Sequence, residues 1–537
     1  MGLVPIGWWS GTPSGTLPDS AHDALAALHE PVYAFDGGGH VCFTNVGDAT
    51  LGKHRSSASD ETVFPLLGFA PPLMPEQLGD PTFALNYGAR YPYMTGAMAN
   101  GIASVDLVVA ATNAGLVAAY GAAGQTLTTV SAALDQLDTR VGVGSYCVNV
   151  IHSPSEPATE HGLVDLLLQR GVRTAEASAF LSMTPAVVRY RLRGVSRNGQ
   201  GQIVVPNRVI AKASRVEVAT HWLSAPPPKL VAQLLSDGAI TADEAALAPH
   251  IVMADDLTAE ADSGGHTDNR PALALIPTFI ALRDRLQHSG QQSHPRTRIG
   301  AAGAIATPTS VAAAFSMGAA YVVTGSVNQA CIESGTSDAV RQMLAQSGQA
   351  DVMMAPAADM FEMGVKLQVL KRGTLFPMRA ARLFETYRAY DALEALPAPL
   401  RESLERDLFL APLEEIWQQT QAFFSQRNPA LLSRAQSNPK QKMALVFRWY
   451  LGQSSSWANS GDPARKADYQ IWCGPAMGAF NEWAKGSVLE QPASRTVTGV
   501  ANNLLIGAAL ALRGQTLARS GIPVPTSILS PRPLKSL

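Results

Sequence analysis

The chain is poor in cysteine: Cys42, Cys147, Cys331 and Cys473 are the only four in 537 residues, and none forms a C-x-x-C pair. That spacing excludes a disulfide framework or a thiolate zinc site and fits a reducing compartment. An excess of either charge is also missing. Lys and Arg total 41 against 43 Asp and Glu, a formal charge of −2, so there is no electrostatic footprint for nucleic acid or an anionic membrane. Long apolar runs are absent as well. Residues 103–124 are interrupted by Asp106 and Asn113, and residues 504–512 are shorter than the ~20 residues a membrane span needs. No basic stretch precedes an apolar one near the start, which argues against a secretory signal. Ile6 stands where N-myristoylation requires Ser or Thr. A soluble cytoplasmic chain with no nucleic-acid or membrane partner is expected. Nucleotide fingerprints are missing too. Residues 121–126 (GAAGQT) lack the Lys of a phosphate loop, and no G-x-G-x-x-G follows a strand and opens a helix, which argues against a Rossmann domain. No internal repeat or low-complexity tract is present.

What is present is a globular profile, 46% hydrophobic, in a chain long enough for two or three domains. Residues 1–80 are rich in Gly, Pro and Ser. They read as a small α+β appendage with a helix at 21–29 and a hairpin of 32–35 with 41–43. Beyond residue 80 short runs of small and branched residues alternate with longer amphipathic ones. Strands are expected at 89–95, 115–120, 143–151, 174–177, 208–212, 256–261, 298–302 and 320–324. Eight such alternations over about 250 residues predict a (β/α)8 TIM barrel at 81–337, with an open doubly wound sheet as the alternative. Residues 338–520 read as mostly helical and 521–537 as an irregular tail. Rings such as Trp417, Phe423, Phe447, Trp449, Tyr450 and Trp457 suit helix packing. A helical region laid over a barrel mouth would use some of them to wall an apolar slot.

The stretch that organises the chain is 262–271 (DSGGHTDNRP). It follows the sixth strand and precedes a helix expected at 272–286. Gly264 and Gly265 let the backbone approach a flat or bulky group, and His266 stands where barrels place their chemistry. The same residues also describe a tight strand-to-helix turn. Two further Gly-bearing turns follow strands seven and eight, Ala302-Gly303-Ala304 and Thr324-Gly325-Ser326. Those loops bind phosphate in many barrels. Small residues at Gly96 and Ala97, with Met98, would let a planar ring lie over strand one. Asn149, Glu176 and Lys212 are polar groups in apolar strands and need partners. Glu176 and Lys212 answer that need by pairing with each other, or Lys212 by meeting a cofactor edge.

Residues 85–330 resemble the nitronate monooxygenase-like flavin barrels and the FMN-dependent enoyl-acyl-carrier-protein reductases, which share a Gly-Gly-His after strand six. The likeness sharpens at 260–271 (EADSGGHTDNRP), 323–329 (VTGSVNQ), 359–364 (DMFEMG), 442–450 (KMALVFRWY) and 468–475 (DYQIWCGP). With these motifs nearly the whole chain resembles the trans-acting enoyl reductases of polyunsaturated fatty acid synthases and trans-acyltransferase polyketide synthases. The resemblance implies FMN, NADPH as electron donor, and an enoyl thioester on an acyl carrier protein within a synthase complex. Carried over by motif, His266 is the catalytic candidate. Gly96, Ala97, Met98, Asn149, Lys212, Gly264, Gly265, Ala302, Gly303, Gly325 and Ser326 are the flavin-contact candidates. Ala259 stands where monooxygenase relatives often carry Gln, which weighs against the alternative of a nitronate monooxygenase-type oxidase. A flavin-free scaffold is the non-catalytic alternative. The large apolar helical region is compatible with a homodimer.

Overall fold

The computed structural model describes residues 3–11, 21–53, 63–154, 156–287 and 295–534. The chain begins with a five-stranded antiparallel sheet of order β3-β2-β5-β1-β4. Its strands are β1 (Gly7–Ser10), β2 (Val32–Asp36), β3 (Val41–Thr44), β4 (Asp48–Leu51) and β5 (Val63–Ala70). The expected hairpin is there as β2 and β3, but it is only one edge of the sheet. Central strand β5 carries Pro65 and Gly68, which break the strand pattern in sequence. Gly68 lets Ile522 pack closely, since a Cβ there would stand 2.2 Å from Ile522 Cδ1 and the side chain would have to shift.

The expected barrel is present and closed. Its parallel strands are β6 (Tyr93–Thr95), β7 (Val117–Tyr120), β8 (Cys147–Ile151) and β9 (Thr174–Ser178), then, past a short ribbon of β10 (Ser196–Arg197) and β11 (Ile203–Val204), β12 (Arg208–Ala213), β13 (Asp256–Glu260), β14 (Arg298–Ala302) and β15 (Val322–Thr324). Both faces of each strand are covered, by the barrel interior and by the helix ring, so most strand residues are small or branched, with charged residues such as Glu176, Lys212, Asp256 and Arg298 as exceptions. Ser or Thr N-caps open many of the following helices: Ser104, Thr126, Thr184 and Thr307 each accept the N–H three residues on. At the N-terminal end the barrel is plugged by a buried ion pair between the first residues of β13 and β14. Arg298 Nε and Nη2 lie 2.6 and 2.7 Å from the two oxygens of Asp256. Tyr87 OH donates to the same carboxylate, and the guanidinium stacks over Phe83 at 5.7 Å.

The run read as mostly helical holds an unexpected antiparallel hairpin, β16 (Val352–Pro356) with β17 (Lys366–Leu370). Around it the helices between 376 and 460 pack a second core, in which Phe361, Phe376, Phe447 and Tyr450 are fully buried and Trp417 and Phe424 nearly so. Those rings fill the helical core. Phe423, 52% exposed, is the exception among them. Helix Val497–Ala518 shares the barrel's core and lies against helix Pro308–Ser316 and β5. It is long and apolar enough to cross a membrane, yet 72% of its most apolar window is buried, as expected of a core helix that is apolar all round. Arg513 on this helix donates to the carbonyls of Leu25, Ala27 and Glu30 and so ties the last long helix to the first. In the tail, residues Thr526–Leu529 form one more helical turn, and residues 535–537 lie outside the described residues.

The helical region roofs the C-terminal rim of the barrel, touching four of its loops. Asn100 Nδ2 donates to Ser455 Oγ at 2.9 Å, Arg427 pairs with Glu156 at 2.8 Å, Gly265 bridges Gln368, and Gly474 N–H donates to Ser326 Oγ at 3.2 Å.

Breaking the bottom ion pair tests how far the barrel relies on it. Asp256→Ala leaves a buried guanidinium without its counter-charge, a change that removes about 3–5 kcal/mol. The thermal midpoint should fall by many degrees; an unchanged midpoint would show that the pair contributes little.

Candidate active site

A parallel barrel brings the C-terminal ends of all its strands to one rim, and every residue singled out from the sequence stands there. Gly96, Ala97 and Met98 follow β6, Asn149 is the middle residue of β8, and Lys212 lies near the end of β12. The residues from Gly264 to His266 follow β13, Ala302 ends β14 with Gly303 behind it, and Gly325 and Ser326 follow β15. Neighbouring strands make neighbouring loops. Gly303 crowds the turn after β13, since a Cβ there would stand 2.5 Å from the Ala261 carbonyl carbon. Gly96 N–H donates to the Thr324 carbonyl at 2.9 Å.

The Gly-Gly-His turn is set by the hairpin of the roof. Gly265 and Gln368 exchange both backbone hydrogen bonds, at 2.9 and 2.7 Å. The Gln368 side chain, 5% exposed, donates to Asp262 Oδ1 and to the Ser263 carbonyl, both at 2.8 Å, and accepts from Asn269 Nδ2 at 3.3 Å. Gly265 needs to be glycine for its φ of +78°. At Gly264 the space a Cβ would take is filled by the backbone of Cys473, 2.9–3.0 Å away, so the close approach expected of a ligand is here made by the protein's own roof. At the far end of the turn, Arg215 grips Asp268 with two hydrogen bonds.

Three charged side chains share the barrel mouth. Lys212 Nζ lies 3.0 Å from Glu260 and 3.9 Å from Glu176, so the expected Glu176–Lys212 pairing is the weaker of two. Burial works against the ammonium, yet the two carboxylates outweigh it and hold its pKa above the ordinary lysine range. Burial pushes the Glu176 carboxyl up, opposed by Lys212 and by the Ala97 N–H, which Glu176 accepts at 2.9 Å. The Ala97 N–H is therefore already spent. The Asn149 amide donates to the Glu176 carbonyl and to Ser178 Oγ, which leaves its oxygen to accept from elsewhere.

His266 Nε2 lies 3.2 Å from Asp359 Oδ1, in the loop between β16 and β17. The atoms miss the alignment of a hydrogen bond, so the pairing is electrostatic. Burial opposes the imidazolium, but Asp359, with Glu260 behind it, outweighs that and raises the pKa above 6.5. The Asp359 carboxyl is lowered in turn: burial works against its charge and His266 outweighs it.

A flat cofactor bearing a phosphate fits this donor set. The N–H groups of Gly303, Ala304, Gly325 and Ser326 meet no acceptor among the described residues, and the first two lie in a turn with φ of +80° and +59°. Successive N–H groups in such a turn form an anion-binding concavity. A Cβ on Gly325 would meet nothing within 4 Å, so the space before these donors is open. Thr95 Oγ1 and Glu176 Oε1 are buried at the same rim without a hydrogen-bond partner. Among the described residues, no cluster of His, Cys, Asp and Glu could hold a metal ion.

Asp359, Gln368, Glu260 and the 473–474 backbone escaped the sequence reading as site residues. Asp359 lay inside a noted motif but had no role. Gln368 was legible only as a polar residue within an apolar run (KLQVL), the signal that singled out Asn149.

The model of the [acyl-carrier-protein] S-malonyltransferase inserted helical domain matches residues 390–469. The chain is 47% identical over 447 residues to a polyunsaturated fatty acid synthase polypeptide of Thraustochytrium sp., covering 83% of this chain and 30% of that protein. It is 43% identical over 438 residues to the polyketide biosynthesis protein PksE of Bacillus subtilis, covering 81% of this chain and 57% of that one. It thus spans less than two thirds of these curated relatives. Among solved structures, the enoyl reductase domain of MlnA from the macrolactin biosynthesis cluster of Bacillus amyloliquefaciens matches with a TM-score of 0.77 and 36% identity, over 83% of this chain and 98% of that chain.

Two substitutions test the geometry. Gly325→Ala adds a Cβ that meets no protein atom, so the apo protein should melt as before while its retention of a phosphate-bearing flavin drops severalfold, read by dialysis and absorbance; full retention would put the phosphate elsewhere. Gln368→Ala removes the side-chain anchors of the turn, worth roughly 1–3 kcal/mol together. Amide exchange at residues 262–269 should then speed up while the barrel strands stay protected. Unchanged exchange there would mean the turn holds itself.

Proposed function

The chain belongs to the enoyl reductase family of polyketide and polyunsaturated fatty acid synthases, and from that premise we propose that it reduces the α,β double bond of an enoyl thioester borne by an acyl carrier protein. The observation that carries this reading is the rim itself. Unbonded N–H groups after β14 and β15, an open Gly325, the Lys212 ammonium and the His266 imidazole stand on one end of one barrel. We assign FMN as the cofactor and NADPH as the electron donor, with the protein acting in trans on a synthase. Held at this rim by the turns at 303–304 and 325–326, FMN would supply hydride chemistry to the substrate's β-carbon, with NADPH as the source of electrons.

The residues of the chain do the rest. Backbone donors of the turns at 303–304 and 325–326 hold the phosphate. The Lys212 ammonium, kept charged by Glu260 and Glu176, and the free oxygen of Asn149 suit the polar edge of the flat ring. His266 presents an N–H to the enoyl thioester, where negative charge develops over the α-carbon and the thioester oxygen as the double bond is reduced. Losing one such donor typically lowers a rate ~10²–10³-fold. The roof is joined to the rim by the contacts of Ser455, Arg427, Gln368 and Gly474 and leaves the His266 side chain partly open to solvent.

The purified protein should be yellow, and NADPH should bleach it under anaerobic conditions. Adding a crotonyl thioester should restore the colour with one equivalent of butyryl product. In His266→Ala the flavin spectrum should persist while enoyl reduction falls about 100-fold or more. A colourless protein that cannot be reconstituted would end the flavin reading, and undiminished turnover in the variant would remove His266 from the chemistry.

A further inference from the structure

We propose that Asp359, carried by the β16–β17 loop of the roof, is a positioning residue that holds His266 as an imidazolium and thereby makes it the acid that protonates the substrate's α-carbon. This rests on the enoyl reductase reading and assigns the source of the second hydrogen. Asp359 belongs to neither the barrel nor the Gly-Gly-His motif, and it reaches the ring from the roof hairpin that pairs with Gly265.

The geometry divides the two ring nitrogens. Nε2 faces Asp359 at 3.2 Å, and Nδ1 has no partner among the described residues. A carboxylate against one nitrogen leaves the other to do the proton transfer, and it stabilises the cation that carries the proton. The groups around the ring agree. Glu260, at the end of β13, faces His266 but is held by Lys212 at 3.0 Å. Arg448, on helix Pro439–Ser460, favours the Asp359 charge, yet its guanidinium goes to Glu362 at 3.2 Å, which leaves Asp359 for the imidazole. The His266 side chain is 34% exposed, so the ring can regain a proton from solvent after each turnover.

The step balances. The new C–H bond at the β-carbon takes a hydride, which a bound flavin reduced by the nicotinamide would supply. The π pair moves to the α-carbon and the thioester oxygen, and the Nδ1 proton forms the second C–H bond at the α-carbon. Imidazole is left neutral and the nicotinamide is the net reductant. Because the pKa of His266 is raised, the acid form persists above pH 6.5, and the rate should fall as pH rises through that higher pKa. Removing the Asp359 charge should move this fall toward lower pH.

The test is a histidine-selective NMR titration of the full-length flavin-loaded protein, with His266→Gln to assign the signal, in wild type, Asp359→Asn and Asp359→Glu. The pH profile of kcat for crotonyl thioester reduction accompanies it. In Asp359→Asn the His266 pKa should drop by about one unit or more, and the alkaline limb of kcat should move down with it. Asp359→Glu should restore both, and flavin content should be equal in all three. A His266 pKa unchanged in Asp359→Asn overturns the pairing. A pKa that drops while the alkaline limb stays in place overturns proton delivery by His266. Wild-type protein that reduces no enoyl thioester at any pH overturns the enoyl reductase reading itself, and the NMR titration still reports on the pairing separately.

Discussion

Gln368 holds the Gly-Gly-His turn from outside the barrel, through two backbone hydrogen bonds to Gly265 and side-chain bonds to Asp262, Ser263 and Asn269. Two adjacent glycines would otherwise leave this segment many conformations, and an imidazole on a loose turn is of little use to catalysis, where small misplacements are expensive in rate. The hairpin that carries Gln368 also carries Asp359, so one element of the roof fixes both the position of His266 and its electrostatic partner. The backbone of Cys473 and Gly474 closes against the same turn. Rim and roof are therefore parts of one site.

The two ends of the barrel use buried charge in opposite ways. At the bottom, Asp256 and Arg298 satisfy each other in a bidentate pair with Tyr87 alongside. At the top, Lys212 is shared between two carboxylates at unequal distances, and Thr95 Oγ1 and Glu176 Oε1 lack hydrogen-bond partners. Local inconsistency of this kind concentrates at functional sites. The top leaves polar atoms open to a ligand, whereas the charges of the Asp256–Arg298 pair satisfy each other.

Much of the barrel was legible. The runs at 174–177, 208–212, 256–261 and 298–302 agree with β9, β12, β13 and β14 to within a residue at either end. A parallel strand buried on both faces must be a short, continuous run of small or branched residues, and that signal is local. The sheet around β5 was not legible, because Pro65 and Gly68 interrupt the pattern, and Gly68 serves a contact with Ile522 far along the chain. The β16–β17 hairpin was hidden among helices because Met, Leu, Lys and Gln favour helix by propensity. Its outer edge pairs with Gly265 and Trp472, and such long-range pairing overrides local preference.

The same division runs through the site. The sequence by itself determined the eightfold alternation, the Gly-bearing turns after β13, β14 and β15, and hence the end of the barrel on which chemistry-bearing side chains meet, because these depend on neighbours along the chain. Only the tertiary structure decided that Cys473 fills the space beside Gly264, that Glu260 claims Lys212 ahead of Glu176, and that Asp359 and Gln368 come down upon His266 and its turn. Those contacts join residues about 50 to 200 positions apart. Electrostatic attraction and hydrogen bonding act over a few ångströms of space, and sequence separation carries no record of which distant groups the packed roof will bring within that range.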